Sequence, residues 1–250
     1  MGLHAYSGSL VRFYTNDWEN EIQRTARENG WSYNVHYPEG EPKWPTADEA
    51  REHLAWMRER LSENAGQPVE WNDEEVTYRT TKLHDEAREA LMIVAAHLHR
   101  PELSMPQQMS VKPYDDVAYS EAGPKGYLFE HMAPFEAALI FPGTFSTLRL
   151  MEDPLGGKVL TCSTGLLRGA LAFVRDAFWR GAVEPDSWLS RGLVYARGAS
   201  SSTQIDGEWI KEREPEPSDS LRCNAEFGFA VMSSMLDFAD RHNTAIASTA

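Results

Sequence analysis

The chain has 250 residues, 42% of them hydrophobic and 25% charged, which is enough apolar surface for a core and excludes a mainly disordered protein. The formal charge is −14, from 24 Lys and Arg against 38 Asp and Glu, so nucleic-acid binding would require a local basic cluster, and the sequence shows none. With two cysteines, no leader-like start and no run of about 18 apolar residues, we expect a cytoplasmic protein that does not enter a membrane.

The start of the chain is typical of a strand, a helix and a second strand. Residues 3–14 alternate between apolar and polar or aromatic side chains, which predicts a strand. Asn16 and Glu19 resemble a capping box that would begin a helix running to about Asn29. Residues 31–37 alternate again and are rich in aromatic side chains. The pattern therefore predicts a β-α-β opening.

Two further helices and a hairpin are predicted in the next part of the chain. Thr46 and Glu49 form a second capping box, which predicts a helix to about Asn64. Residues 68–81 have the alternation and the acidic turn of a short hairpin. A helix is then predicted over about 83–99, because Pro101 cannot continue it.

The stretch 101–134 is rich in proline and methionine and has no periodic pattern. We expect an irregular loop, which would serve as a lid or an interaction arm unless it hides a pair of strands. It carries polar groups able to perform acid–base chemistry over a pocket: Tyr114, Asp115, Asp116, Tyr119, Glu130 and His131.

The second half of the chain predicts strands followed by two helices. Residues 137–162 favour an antiparallel set of strands, with a turn at Asp153 to Gly157. Leu167, Leu171, Val174 and Phe178 then have the spacing of a helix with one buried stripe.

The last part of the chain begins with a polar tract. Residues 196–220 read as an exposed polar excursion, and a helix is predicted over about 221–241. We expect Ser248 to Ala250 to fray. Together the elements predict an α+β fold: one compact domain over 1–250, with a mixed sheet, antiparallel hairpins and about five helices.

One motif lies at the predicted junction between strand and helix. Cys162, Gly165 and Arg168 have the spacing C-x2-G-x2-R, which resembles the phosphate-binding loop of cysteine-dependent phosphatases. The resemblance implies a thiolate nucleophile and an arginine that holds the phosphoryl oxygens. Thr161 and Gly169 stand where many members of that family have a histidine and a hydroxyl residue.

Such an enzyme also needs a general acid, and Asp153, nine residues before Cys162, is the candidate. The alternative interpretation assigns the same residues a structural role. Cys162 would then be a small buried residue, Ser163 or Thr164 would cap the helix, and Arg168 would be solvated.

A second candidate site lies near the start of the chain. His4, Tyr6, Arg12 and Tyr14 share one face of the predicted first strand. Exposed, this face would have the composition of an interface or a ligand groove. The alternative is that a helix covers the two tyrosines.

The histidines do not have metal-ligand spacing. His97 and His99 are two residues apart and diverge on a helix, and no HExxH pair occurs. We therefore predict no metal and no cofactor, and keep His131 with Glu130 as a candidate binding pair.

Two classes of function remain open. Strong acidity, eight tryptophans and nine tyrosines favour a non-catalytic module that binds a basic protein, as inhibitor or immunity proteins do. The alternative is an enzyme with a small-molecule pocket, of which the cysteine-dependent phosphatase is the most specific form. The sequence predicts no oligomeric state.

Overall fold

The computed structural model describes residues 3–32, 43–74, 77–109, 112–122, 131–189, 202–205, 208–211 and 220–249. Its main feature is a six-stranded sheet with helices on both faces. The strands of this sheet are β1 (Leu3–Gly8), β2 (Arg79–Leu83), β3 (Leu139–Phe141), β4 (Arg149–Glu152), β5 (Lys158–Ser163) and β8 (Ala245–Thr249). Two more strands, β6 (Ser202–Ile205) and β7 (Glu208–Lys211), pair antiparallel in a separate ribbon.

The helices are α1 (Leu10–Tyr14), α2 (Glu21–Glu28), α3 (Ala47–Ala65), α4 (Asp85–His99), α5 (Val117–Ala122), α6 (Ala133–Glu136), α7 (Thr164–Phe178) and α9 (Leu221–His242). A further helix, α8, is described over 185–189, and a 3₁₀ turn spans Pro113–Asp115. The predicted α+β class is confirmed, although the described part of the chain has more helices than the five expected. None of the described helices is long and apolar enough to cross a membrane.

The strand order of the main sheet is β2-β1-β8-β3-β5-β4. The pair β3 and β5 runs parallel, whereas the other four described pairs of this sheet are antiparallel. The sheet is therefore mixed, as predicted. Because successive side chains of a strand point to opposite faces, Leu139 lies in one core and its neighbour Ile140 in the other.

The first core lies between the sheet and the helices α1 and α3. The capping box predicted at α3 is present: Thr46 Oγ1 accepts from the backbone N–H of Glu49, and the Glu49 carboxylate accepts from the N–H of Thr46 at 2.8 Å. The predicted apolar stripe of α3, Leu54, Met57 and Leu61, is buried. Local capping and periodicity thus determine both the start and the orientation of this helix.

The second core lies on the other face, under α4, α7 and α9. Helix α4 is buried on nearly all sides from Ala90 to His97, which explains why its sequence is apolar around the whole helix. It packs closely on α9, where a Cβ atom built at Gly228 would lie 2.4 Å from the carbonyl oxygen of Ala87. The residues predicted to form the buried stripe of α9, Phe227, Val231, Met235 and Phe238, are all buried.

The prediction of one strand over 3–14 is wrong in its second half. Strand β1 ends at Gly8, and Ser9 begins α1 by accepting from the N–H of Arg12. The apolar residues of 10–14 have helical rather than alternating spacing, so a helix buries them more completely.

The next helix also begins later than predicted. Asn20 and Gln23 form the capping box of α2, whereas Asn16 adopts a left-handed backbone with φ 57°. The strand predicted over 31–37 lies almost entirely outside the described residues, so the β-α-β opening stays a prediction.

Three other local predictions are corrected. No hairpin is present among the described residues of 68–81, because β2 starts only at Arg79 and pairs with β1 instead. The strand set after position 137 is antiparallel only between β4 and β5. Finally, Ser248 and Thr249, which were predicted to fray, belong to β8, which lies between β1 and β3 in the middle of the sheet, and Ala250 lies outside the described residues.

The two stretches expected to be irregular are only partly described. The proline-rich stretch 101–134 contains α5 and the buried residues Tyr119 and Met132. Of the polar tract 196–220, the structure describes β6, β7 and Ser220.

Candidate functional site

Cys162 lies at the end of β5 and is fully buried in the core under α4, α7 and α9. Burial raises the pKa of its thiol far above the ordinary range, so the group is protonated at neutral pH. A protonated, shielded thiol is a small apolar core side chain rather than a nucleophile. The other cysteine, Cys223, is exposed.

The turn between β5 and α7 is occupied by a neighbouring loop. The backbone N–H of Gly165 donates to the carbonyl of Gly143 at 2.9 Å, and that of Leu166 donates to Ser163 Oγ at 3.1 Å. A Cβ atom at Gly165 would lie 2.9 Å from the Cα of Thr144. A phosphate-binding loop needs these N–H groups for phosphoryl oxygens, whereas here they are already hydrogen-bonded.

The other two residues assigned to phosphatase chemistry also have partners away from Cys162. Arg168 Nη2 donates to Asp240 Oδ2 at 2.5 Å on the surface between α7 and α9. Asp153 Oδ1 accepts from the N–H groups of Leu155 at 3.1 Å and Gly157 at 2.7 Å, which closes the turn between β4 and β5. The structure therefore does not bring Cys162, Arg168 and Asp153 together around one reaction centre.

The candidate interface near the start of the chain is largely internal. Tyr6 and Tyr14 are buried in the core under α1 and α3, and burial raises the pKa of both hydroxyls. Arg12 lies in α1 rather than on the strand, donates to Asp17 Oδ2 at 3.1 Å and stacks on the ring of Tyr78. The position of the two tyrosines thus matches the alternative in which a helix covers them. Of the four residues, only His4 and Arg12 are partly exposed.

Among the described residues, His131 contacts His99 of α4 and Phe173 of α7. Its Nδ1 atom lies 2.9 Å from His99 Nε2, and both rings stack on Phe173 of α7. Glu130 lies outside the described residues. Among the side chains that the structure describes, no group of three or more His, Cys, Asp or Glu residues could hold a metal ion.

The structure brings together a polar cluster that the sequence does not predict. Glu136 Oε1 accepts from the hydroxyl of Tyr114 at 2.6 Å and from that of Tyr119 at 2.8 Å. The hydrogen bond to Glu136 raises the pKa of Tyr114 to about 12, while burial is the main cause of the raised pKa of Tyr119. Tyr119 is buried, but Tyr114 is 68% exposed, so Glu136 fixes an aromatic side chain at the surface.

The segment that carries Tyr114 is held to α4 by a buried pair. His97 Nε2 lies 3.1 Å from Asp116 Oδ2, and both side chains are more than nine-tenths buried. Asp116 Oδ1 also accepts from the N–H of Tyr119, which caps the first turn of α5. Sequence analysis singled out Tyr114 and Tyr119 but not their partner Glu136, because residues 22 and 17 apart have no local signal that they meet.

Charged groups of both signs lie near this exposed tyrosine, because Glu136 and Arg88 each affect the pKa of Tyr114. Lys112 Nζ pairs with Glu89 Oε1 at 3.2 Å, and that contact, with the nearby Asp85 and Glu86, raises the pKa of the lysine. Asp115 and Val117, on either side of the buried Asp116, are exposed. We call the exposed Tyr114 and Val117, together with the acidic Asp85, Glu86 and Asp115, the tyrosine–acid patch.

Comparison of the chain with family models, with curated protein sequences and with solved structures found no match.

Proposed function

We propose that this protein is a non-catalytic module that binds a basic protein partner through the tyrosine–acid patch. The observation that carries the proposal is the Tyr114 ring, held at the surface by the hydrogen bond from its hydroxyl to Glu136. An aromatic ring that is already ordered loses little conformational entropy on binding, which is a property of interface anchors.

The charge of the patch supports a basic partner. The chain has a net charge of −14, Asp115 directly follows the anchor, and Asp85 and Glu86 lie near Lys112, two residues before it. Complementary charge of this kind accelerates association and sets the preferred partner, and its effect falls as salt rises. Such a module would act by covering a basic surface, as inhibitor and immunity proteins do.

The alternative functions lack a supporting observation of this kind. The phosphatase hypothesis requires Cys162, Arg168 and the N–H groups of the turn at one site, and each of them has a partner elsewhere or is buried. The more general enzyme hypothesis requires a roomy pocket next to the polar groups of 101–134. A cavity beside Arg88, in the part of the chain that the structure describes, holds only about 20 Å³ and is lined by none of these polar groups.

The proposal is tested by affinity capture from native extract at increasing salt concentration, with five immobilised proteins. The wild type should recover one stoichiometric basic partner, and Tyr114→Phe should recover less of it, because phenylalanine keeps the ring but loses the hydrogen bond to Glu136 that holds it. Tyr114→Ala and the triple variant Asp85→Asn, Glu86→Gln, Asp115→Asn should lose it. We expect salt to release the partner from the wild type as it screens the acidic groups.

Two results would contradict the proposal. One is recovery of no stoichiometric partner by the wild type. The other is equal recovery by Tyr114→Ala and by the triple variant, which would place the contact on another surface. Trp56→Ala, which removes a different exposed aromatic side chain on α3, is the matched control and should leave recovery unchanged.

A further inference from the structure

One edge of the main sheet is an exposed strand. Strand β4 is the last strand in the order of the sheet, and among the described strands it pairs only with β5. Arg149, Leu150 and Glu152 are exposed, whereas Met151 is buried in the core under α1 and α3. Because successive side chains of a strand point to opposite faces, Leu150 lies on the other face of the sheet, where it is 66% exposed.

The backbone polar groups of Leu150 point to this edge. Leu160, opposite Leu150 in the ladder, accepts with its carbonyl from the N–H of Ala138 at 2.9 Å, on the side of β3. Leu150 and Leu160 are therefore a non-hydrogen-bonded pair, so the N–H and C=O of Leu150 point away from β5. Two residues further, the Glu152 carbonyl also points outward and lies 2.9 Å from His53 Nε2. In the described part of the chain, the backbone of Leu150 has no hydrogen-bond partner.

An exposed edge that carries an apolar side chain and unpaired backbone groups is a template for another strand. We propose that two copies of this protein associate weakly by antiparallel pairing of β4 with β4 of the second copy, with Leu150 opposite Leu150. Each Leu150 N–H then donates to the Leu150 carbonyl of the other copy, and the two exposed side chains cover each other. The contact is the same patch on both copies, related by a two-fold axis, and it joins the two sheets into one.

The charges of β4 favour a second copy in this register. A pairing centred on Arg149 would put two arginines opposite each other, and one centred on Glu152 would put two carboxylates there, which is destabilising. A pairing centred on Met151 would place each exposed Leu150 opposite a Glu152 carboxylate. The pairing centred on Leu150 instead puts leucine on leucine and places Arg149 and Glu152 opposite the uncharged Met151 and Leu148.

The dimer should respond to salt in the opposite way to the proposed basic partner. The contact is small and each chain carries a charge of −14, so we expect a dissociation constant on the order of 10–100 μM. Salt screens the repulsion between the two acidic chains, so higher salt should strengthen the dimer. The same salt should weaken the capture of a basic partner, so the two proposals succeed or fail separately.

The test is sedimentation equilibrium of the whole chain, over concentrations from well below to well above this range. We expect the mean mass of the wild type to rise from 28.3 kDa toward twice that value. Leu150→Asp and Leu150→Lys each place two like charges at the contact and should stay monomeric. An equimolar mixture of these two variants should dimerise again, because lysine then faces aspartate. Val117→Asp, which puts a charge at an exposed apolar position on α5, is the matched control and should dimerise as the wild type does.

Four results would overturn the proposal. The first is a wild-type mass of 28.3 kDa at every concentration. The second is a dimer that persists unchanged in both Leu150 variants, which would place the contact on another surface. The third is a dimer of Leu150→Lys alone that is tighter than that of the wild type, because lysine would then face Glu152 in the register centred on Met151. The fourth is failure of the mixture to dimerise. Since Leu150 is exposed, both variants should fold, and circular dichroism checks this.

Discussion

His97 and Asp116 form a buried pair that fastens α5 and the preceding 3₁₀ turn to α4, with 3.1 Å between His97 Nε2 and Asp116 Oδ2. Asp116 Oδ1 also accepts from the N–H of Tyr119, so one carboxylate both pairs with α4 and caps α5. Since Tyr114 lies in the same 3₁₀ turn, the pair also helps to determine where the proposed anchor is held.

Removal of the Asp116 carboxylate should therefore lower the stability of the protein. Asp116→Ala leaves a buried imidazole without its partner and removes a helix cap, so we expect a loss of about 2–4 kcal/mol in the free energy of unfolding. Asp116→Asn, which keeps a capping oxygen, should lose less. Urea denaturation provides the measurement, and the exposed neighbour Asp115→Asn should change the value by less than about 0.5 kcal/mol. Equal stability of Asp116→Ala and the wild type would show that the pair does not fasten α5.

Replacement of glycine by alanine should change stability in opposite directions at two helical positions. Gly228→Ala puts a methyl group 2.4 Å from the Ala87 carbonyl, so α9 must move away from α4, and we expect a loss of at least about 1–3 kcal/mol. Gly169→Ala, on the exposed side of α7, meets nothing within 4 Å and should gain up to about 1 kcal/mol from helix propensity. Thermal unfolding of both variants measures the contrast. A stabilised Gly228→Ala would contradict the close packing of the two helices.

The two cysteines should differ in reactivity. Burial raises the pKa of Cys162, whereas Cys223 is exposed, so iodoacetamide should modify one thiol quickly in the native protein and both after unfolding. Mass spectrometry identifies the modified residue. At pH 6 we expect slow alkylation of Cys162, no effect of phosphate or vanadate, and no hydrolysis of an aryl phosphate. Rapid alkylation of Cys162 that phosphate suppresses, and that is weakened in Arg168→Lys, would restore the phosphatase hypothesis.

The titration of Asp73 should lower the free energy of unfolding as pH rises. Its carboxylate accepts from Arg58 Nη2 at 3.0 Å and from the N–H of Leu10 at 3.2 Å, but burial outweighs these contacts and raises its pKa. A raised folded pKa means that protonation favours the native state. The contribution is fully present below the unfolded pKa of about 3.9 and is lost as pH rises through the folded pKa.

The measurement compares the wild type with Asp73→Asn, which cannot titrate, by urea denaturation between pH 3.5 and 7. The free energy of unfolding of the wild type minus that of the variant should decrease as pH rises. An increase with pH would mean that the ion pair with Arg58, rather than burial, dominates. An NMR titration of the Asp73 carboxyl group gives the pKa directly.

The local sequence determined most of the long helices and the α+β class. The capping box at Thr46 and Glu49 and the stripe at Leu54, Met57 and Leu61 lie within 16 residues of chain, so α3 was predictable without knowledge of its neighbours. The same holds for Ser163, which caps α7. Capping hydrogen bonds and apolar stripes join residues that are close in the sequence, so the local sequence predicts them.

Only the tertiary structure decided the pairing of the strands and the gathering of the site. Ser248 to Ala250 were expected to fray, yet Ala245–Thr249 forms β8, because β1 and β3 each offer an edge that pairs with it. Glu136 meets Tyr114 because α6 packs on α4, and Arg88 reaches the cavity because α9 and the sheet leave a gap there. Contacts between segments far apart in the chain depend on which surfaces remain unburied after each element has formed, and a local pattern does not contain that information.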